Sequence, residues 1–189
     1  MKFKKLILPV LMILTFSIFG NVDPIKINTE KSTISWVGKK ITGQHSGTIS
    51  IKSGELIMDD EKLTGGSFVI DMSSLSVEDL KAGQGKEKLE GHLNSDDFFG
   101  INTYPEATLS ITNVISIGKG QYKVQANITI KDKQQQILFD ANIGKGMATA
   151  EITIDRTKHD IKYGSGSFFD NLGDNMIKDD FVLTVNLAF

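Results

Sequence analysis

The chain has 189 residues, 21 Lys+Arg against 23 Asp+Glu, and no cysteine. Without cysteine there is no disulfide, no thiolate metal site and no lipoprotein anchor through an N-terminal Cys. The small negative balance argues against nucleic acid or an anionic membrane surface as partner.

The first twenty residues differ in kind from the rest. Lys2, Lys4 and Lys5 precede an apolar run from Leu6 to Phe19, and Gly20 and Asn21 follow. That arrangement predicts a signal peptide over residues 1–20 and an exported protein, periplasmic or secreted, over 21–189. A membrane anchor fits less well, because the run has 14 residues where spanning takes roughly 20. Removal of the leader leaves 18 cationic residues against 23 acidic ones, a net charge of −5. About 169 residues remain, a length suited to one domain with a sizeable core.

Beyond the leader, period-2 alternation dominates. Ile34 and Trp36 come first, then Ile49 and Ile51, a weaker strand at Glu55 to Met58, and Phe68, Ile70 and Met72. After an interruption the series resumes with Ala107, Leu109 and Ile111. The segment Tyr122 to Ile130 is the most regular: Tyr122, Val124, Ala126, Ile128 and Ile130 form a dry face, and Lys123, Gln125, Asn127 and Thr129 a wet one. Ile137 to Ile143, Ala148 to Ile154 and Phe181 to Leu187 complete about nine candidate strands. Gly-bearing connections at 52–54, 65–66, 118–120 and 144–146 predict antiparallel hairpins.

Between Met72 and Asn102 the alternation stops. Ser76 as an N-cap, Asp79 at the third helical position, and Leu75 with Leu80 at hydrophobic-staple spacing predict a helix start. Leu89 and Leu93 stand four apart on one face. The architecture expected is all-β with a helical excursion over about residues 74–99. Strands dry on one face close as a two-sheet sandwich or as a barrel, and periodicity leaves that open.

Several segments go further: WVGKKITGQHSG over 36–47, GSFVIDMSSL over 66–75, KLEGHLNSDDFF over 88–99, YPEAT over 104–108, IDRT over 154–157, and Tyr163-Gly164. In this order they resemble the YceI family of periplasmic polyisoprenoid-binding proteins, over roughly Thr33 to Leu187. The resemblance implies a lipocalin-like eight-stranded antiparallel β-barrel holding a long isoprenoid or similar long-chain lipid, and it allows a homodimer. Two positions depart from the family pattern: Lys131 stands where a glycine is usual, and His159 where a tryptophan is frequent.

The dry face supplies the candidate lumen lining: Trp36, Phe68, Ile70, Leu109, Ile111, Tyr122, Val124, Ala126, Phe139, Ile152 and Leu183. Candidates for a head group at the barrel mouth are Lys39, Lys40, His45 and Arg156. Arg156 has a structural reading too, as a guanidinium that pairs with a carboxylate such as Asp71 or Asp155 rather than remaining alone. His45, His92 and His159 lack recognised metal-ligand spacing, so neither a metal nor a cofactor is expected. His45, Asp71 and Ser73 lack the elbow that presents a nucleophilic serine, so no catalytic residue is assigned and no enzyme is expected. The expected function is an exported lipid-binding or carrier protein. A ligand-free stress or scaffold barrel shares every one of these features. An outer-membrane barrel fits the alternation, but the chain holds one tryptophan and three tyrosines, too few for two aromatic girdles.

Overall fold

The computed structural model describes residues 24–189. The leader assigned to residues 1–20 lies outside the described residues. Nine strands follow in order: β1 (Ile25–Lys26), β2 (Thr33–Lys40), β3 (Gly43–Asp59), β4 (Lys62–Val77), β5 (Glu106–Gly118), β6 (Gln121–Ile130), β7 (Lys133–Gly144), β8 (Met147–Asp155) and β9 (Ile177–Ala188). One helix, α1 (Lys86–Asn94), lies between β4 and β5. Each strand from β2 to β9 pairs antiparallel with two neighbours, and the β3–β4 pairing closes the ring as an eight-stranded barrel. β1 covers the edge of β3 beyond the point where β2 ends.

The alternation read from the sequence sets the two faces of this wall. On β6, Tyr122, Val124, Ala126, Ile128 and Ile130 are buried, and Lys123 and Gln121 are exposed. The buried side chains form two clusters inside the barrel. One contains Trp36, Leu93, Phe98 and Ile154 near α1; the other contains Ile27, Leu56, Leu63 and Tyr122 at the far end. Outward positions carry polar groups such as Gln134, Gln136, Asp140, Asn142, Glu151 and Thr153. That is the inverse of a transmembrane barrel, which needs an outward apolar band.

Four local expectations are corrected. Glu55–Met58 is not a separate strand, because β3 runs unbroken through it. The 52–54 segment is a bulge rather than a turn: Ile51 pairs with Ile70 and Ser53 with Val69, leaving Lys52 as the extra residue. Gly65 and Gly66 lie inside β4, where a Cβ on Gly66 would stand 2.7 Å from the Glu55 carbonyl oxygen. The β3–β4 hairpin turns instead at Asp60 and Glu61, with φ of 45° and 63°; this left-handed pair makes a two-residue turn without glycine. Finally, Ser76 caps no helix. It lies on β4, paired with Thr48 of β3, its Oγ accepts from Lys86 Nζ at 3.3 Å, and the helix begins only after Gly85 at φ 102°. Leu75 is correspondingly a buried strand residue, not a staple.

Two neighbouring strand pairs are joined over part of their length only. β4 and β5 pair from Ser67–Ser110 to Asp71–Glu106. β7 and β8 pair from Ala141–Ala150 to Gly144–Met147, next to their hairpin turn.

Candidate functional site

The barrel encloses a cavity of about 240 Å³ running most of its length. Its deep part is aliphatic and aromatic, with Leu56, Leu63, Phe68, Ile111, Val124, Ala141 and Leu187 among its walls. Its charged and imidazole groups gather near α1, where His45, His92, Arg156, Lys178 and Asp180 contribute. A bulge shapes this mouth: Gly38 pairs with Phe181 and Lys40 with Ile177, so three β9 residues stand opposite Lys39. Lys178 and Asp180 belong to that bulge, and both are exposed.

Nine of the eleven residues read from the sequence as lining face the cavity: Trp36, Phe68, Ile70, Leu109, Ile111, Val124, Phe139, Ile152 and Leu183. Tyr122 and Ala126 do not. Ala126 is fully covered by its neighbours. Tyr122 spans the gap between β4 and β5, where its hydroxyl accepts the Leu63 amide proton at 3.3 Å. The Trp36 indole N–H donates to the Thr48 carbonyl at 3.3 Å, which fixes the ring against the wall. Sequence reasoning missed Leu89, Phe98 and Phe99, which roof the cavity from the helical segment. The Leu89–Leu93 spacing was their one signal. For Lys178 and Asp180 no signal existed, because a bulge is invisible to periodicity.

Of the head-group candidates, His45 lies at the mouth and Lys39 and Lys40 are exposed away from the cavity wall. His45 Nδ1 donates to Asp79 Oδ2 at 2.8 Å, and the Ser46 amide donates to Asp79 Oδ1 at 2.9 Å. Burial alone would raise the Asp79 carboxyl, but the Ser46 and His45 bonds hold it below the usual carboxylate range.

Arg156 is only 2% exposed and is bound as a clasp. Its Nε donates to Lys178 O, Nη1 to Ile161 O and Tyr163 O, and Nη2 to Ile177 O, all at 2.8–3.1 Å. Its ion-pair partner is Asp179, at 3.6 Å from Nη2, and not the expected Asp71 or Asp155. With its donors committed to carbonyls, the guanidinium ties the chain after β8 to the start of β9 and has little left for a ligand. Burial lowers its pKa, with Asp179 and Asp155 opposing.

The histidines do not converge. His92 packs edge-on to Tyr163 and Phe98. His159 is buried beneath the β6–β7 turn, donating from Nδ1 to Lys133 O at 2.8 Å. Among the described residues no cluster of three His, Asp or Glu could hold a metal.

A YceI-like domain model matches residues 25–189. UPF0312 proteins of Vibrio cholerae strains are 29% identical over 94 residues, which is 49% of this chain and 47% of each relative, so the match spans about half of their length. Among solved structures, BcnA of Burkholderia cenocepacia superposes with a TM-score of 0.67 at 20% identity, covering 86% of this chain and 99% of that one. A polyisoprenoid binding domain from Saccharophagus degradans gives 0.60 at 14% identity, covering 86% and 95%. A Campylobacter jejuni YCEI protein gives 0.55 at 19%, covering 73% and 81%. These likenesses agree on the barrel.

Proposed function

The chain belongs to the YceI-like domain family, and on that premise we propose that it is an exported carrier that holds a long isoprenoid or similar lipid in its barrel. The observation behind this reading is the distribution of polarity along the cavity: apolar in depth, charged at one mouth. An apolar chain gains about 0.8 kcal/mol for each buried methylene, and the mouth offers Lys178 and His45 to a polar head. Binding of this kind needs no bond chemistry. The leader pattern of residues 1–20 supports export. The Saccharophagus degradans domain, described as polyisoprenoid binding, supports the ligand class. A ligand-free scaffold barrel accounts less well for the open cavity.

Native mass spectrometry of purified protein should reveal a co-purified lipid. After delipidation, a long-chain prenyl lipid at a hundredfold excess over Kd should stabilise the fold by about 2.7 kcal/mol, roughly 5–10 °C in Tm. Leu109→Trp, which fills mid-cavity space, should abolish that shift while its outward neighbour changed as Ser110→Trp keeps it. An unshifted wild-type Tm would return the scaffold reading to first place.

A further inference from the structure

The wall around the cavity is not hydrogen-bonded along its whole height. Beyond the Ala141–Ala150 pair, the hairpin register would continue from Asp140–Glu151 through Leu138–Thr153 to Gln136–Asp155, and none of these pairs forms. Both strands remain regular there, each held by its other neighbour, β6 or β9. The gap is also closed at its far end. His159 Nδ1 donates to Lys133 O at 2.8 Å, and Gln135 Nε2 donates to Lys158 O at 3.2 Å. The unpaired stretch is therefore bounded at both ends and is not a frayed edge.

The chain supplies a reason for the break. Asp140, which Lys123 of β6 also holds at 3.2 Å, would stand opposite Glu151 on the outer face, and like charges directly across an antiparallel pair are destabilising. A shallow outer groove begins at this point, lined by Asp140, Glu151, Thr149, Ala150 and Val185, and the last three also line the cavity. Lumen and outer groove thus share these three wall residues. Along the inner face of β7, Ile137 and Phe139 are half-buried, whereas every inward residue of β6 is buried. Leu138, on the outer lip, is 78% exposed, an apolar side chain standing in water beside the gap. The comparable β4–β5 gap is plugged by Tyr122.

We infer that the β7–β8 gap is a lateral window through which an alkyl or prenyl chain enters and leaves the lumen. This rests on the lumen being the lipid site. A chain that slides in sideways need not be threaded whole past Lys178 and Asp180 at the mouth, and the wet lip formed by Asp140 and Glu151 stays hydrated while the apolar rim made by Ile137, Phe139 and Ile152 meets the ligand.

Because the chain has no cysteine and a single tryptophan, Trp36, in the cavity wall, the test is direct. Leu138→Cys with Thr153→Cys is closed by oxidation or, where the gap is too wide, by a short bis-maleimide. Geranylgeraniol association and dissociation are then followed by stopped-flow Trp36 fluorescence. Closing the window should slow both rates tenfold or more and leave Kd within twofold. The same cross-link at Gly144→Cys with Met147→Cys, already a formed pair outside the cavity lining, should change neither. Glu151→Lys, which replaces repulsion by attraction, should slow exchange several-fold without any cross-link. Rates within twofold of the open protein, with Kd intact, overturn the window alone. Absence of any binding by calorimetry in the unmodified protein overturns the lumen reading and the window with it.

Discussion

The two ends of the barrel are closed in different ways. At the far end, two-residue turns and aliphatic side chains suffice, and the largest irregularity is bridged by one hydroxyl, that of Tyr122 on Leu63. At the mouth, closure depends on polar clasps under an aromatic roof: Arg156 on four carbonyls, His159 on Lys133, and Asp79 on His45 and Ser46. Phe98 stacks over the Arg156 guanidinium with the cation 5.6 Å from the ring centroid. A wall that must only exclude water can be made of apolar contact. An end that carries long loops, a helix and a charged opening needs directional bonds to hold its shape, and buried directional bonds are expensive to break.

The largest test of this contrast is Arg156→Met. It leaves four carbonyls and Asp179 without their cation and should cost about 3–5 kcal/mol, some 6–20 °C in Tm at roughly 2–4 °C per kcal/mol, measured by calorimetry of the apo protein. A loss below 1 kcal/mol would show that the mouth does not depend on its clasp. Tyr122→Phe is the counterpart at the sealed end. It keeps the ring and strands the Leu63 N–H, so about 1–3 kcal/mol should be lost with lipid binding kept. The smallest effect concerns pH. Burial lowers the His159 pKa, with the Lys133 and Ile130 carbonyls opposing. The unfolded imidazole takes up its proton near 6.5 while the folded one resists, so the unfolded state binds more protons in that window and stability falls as pH drops from 7.5 to 5.5. His159→Gln, which can still donate to Lys133 O, should flatten that slope in denaturant titrations at the two pH values.

Much of this was legible in the chain. The dry and wet faces of β6 and β7 follow from alternation, and the turns at 118–120 and 144–146 from their glycines. The turn at Asp60–Glu61 was not legible, because it adopts left-handed backbone without glycine, and the glycines nearby serve close strand approach instead. Ser76 looked like a cap because a polar side chain before acids has the same composition on a strand end as at a helix start. Alternation marks Ala126 and Leu109 alike as inward. It does not reveal that Ala126 meets packed neighbours and Leu109 a void, since that depends on strands distant in sequence. Arg156 was legible as a group needing a carboxylate, but Asp179 comes near it only through the long connection into β9.

The pairing of β9 imposes an order in time. Its partners are β8, next to it in the chain, and β2, with Asn186 across from Thr33. Until residues 177–188 are in place, β2 and β8 each present a bare edge of unpaired amides and carbonyls, and unpaired edges recruit foreign strands. Contacts of such sequence separation are slow to form. Closure of the ring by the β2–β9 pairing is therefore expected late, and an edge left open until then is exposed to aggregation.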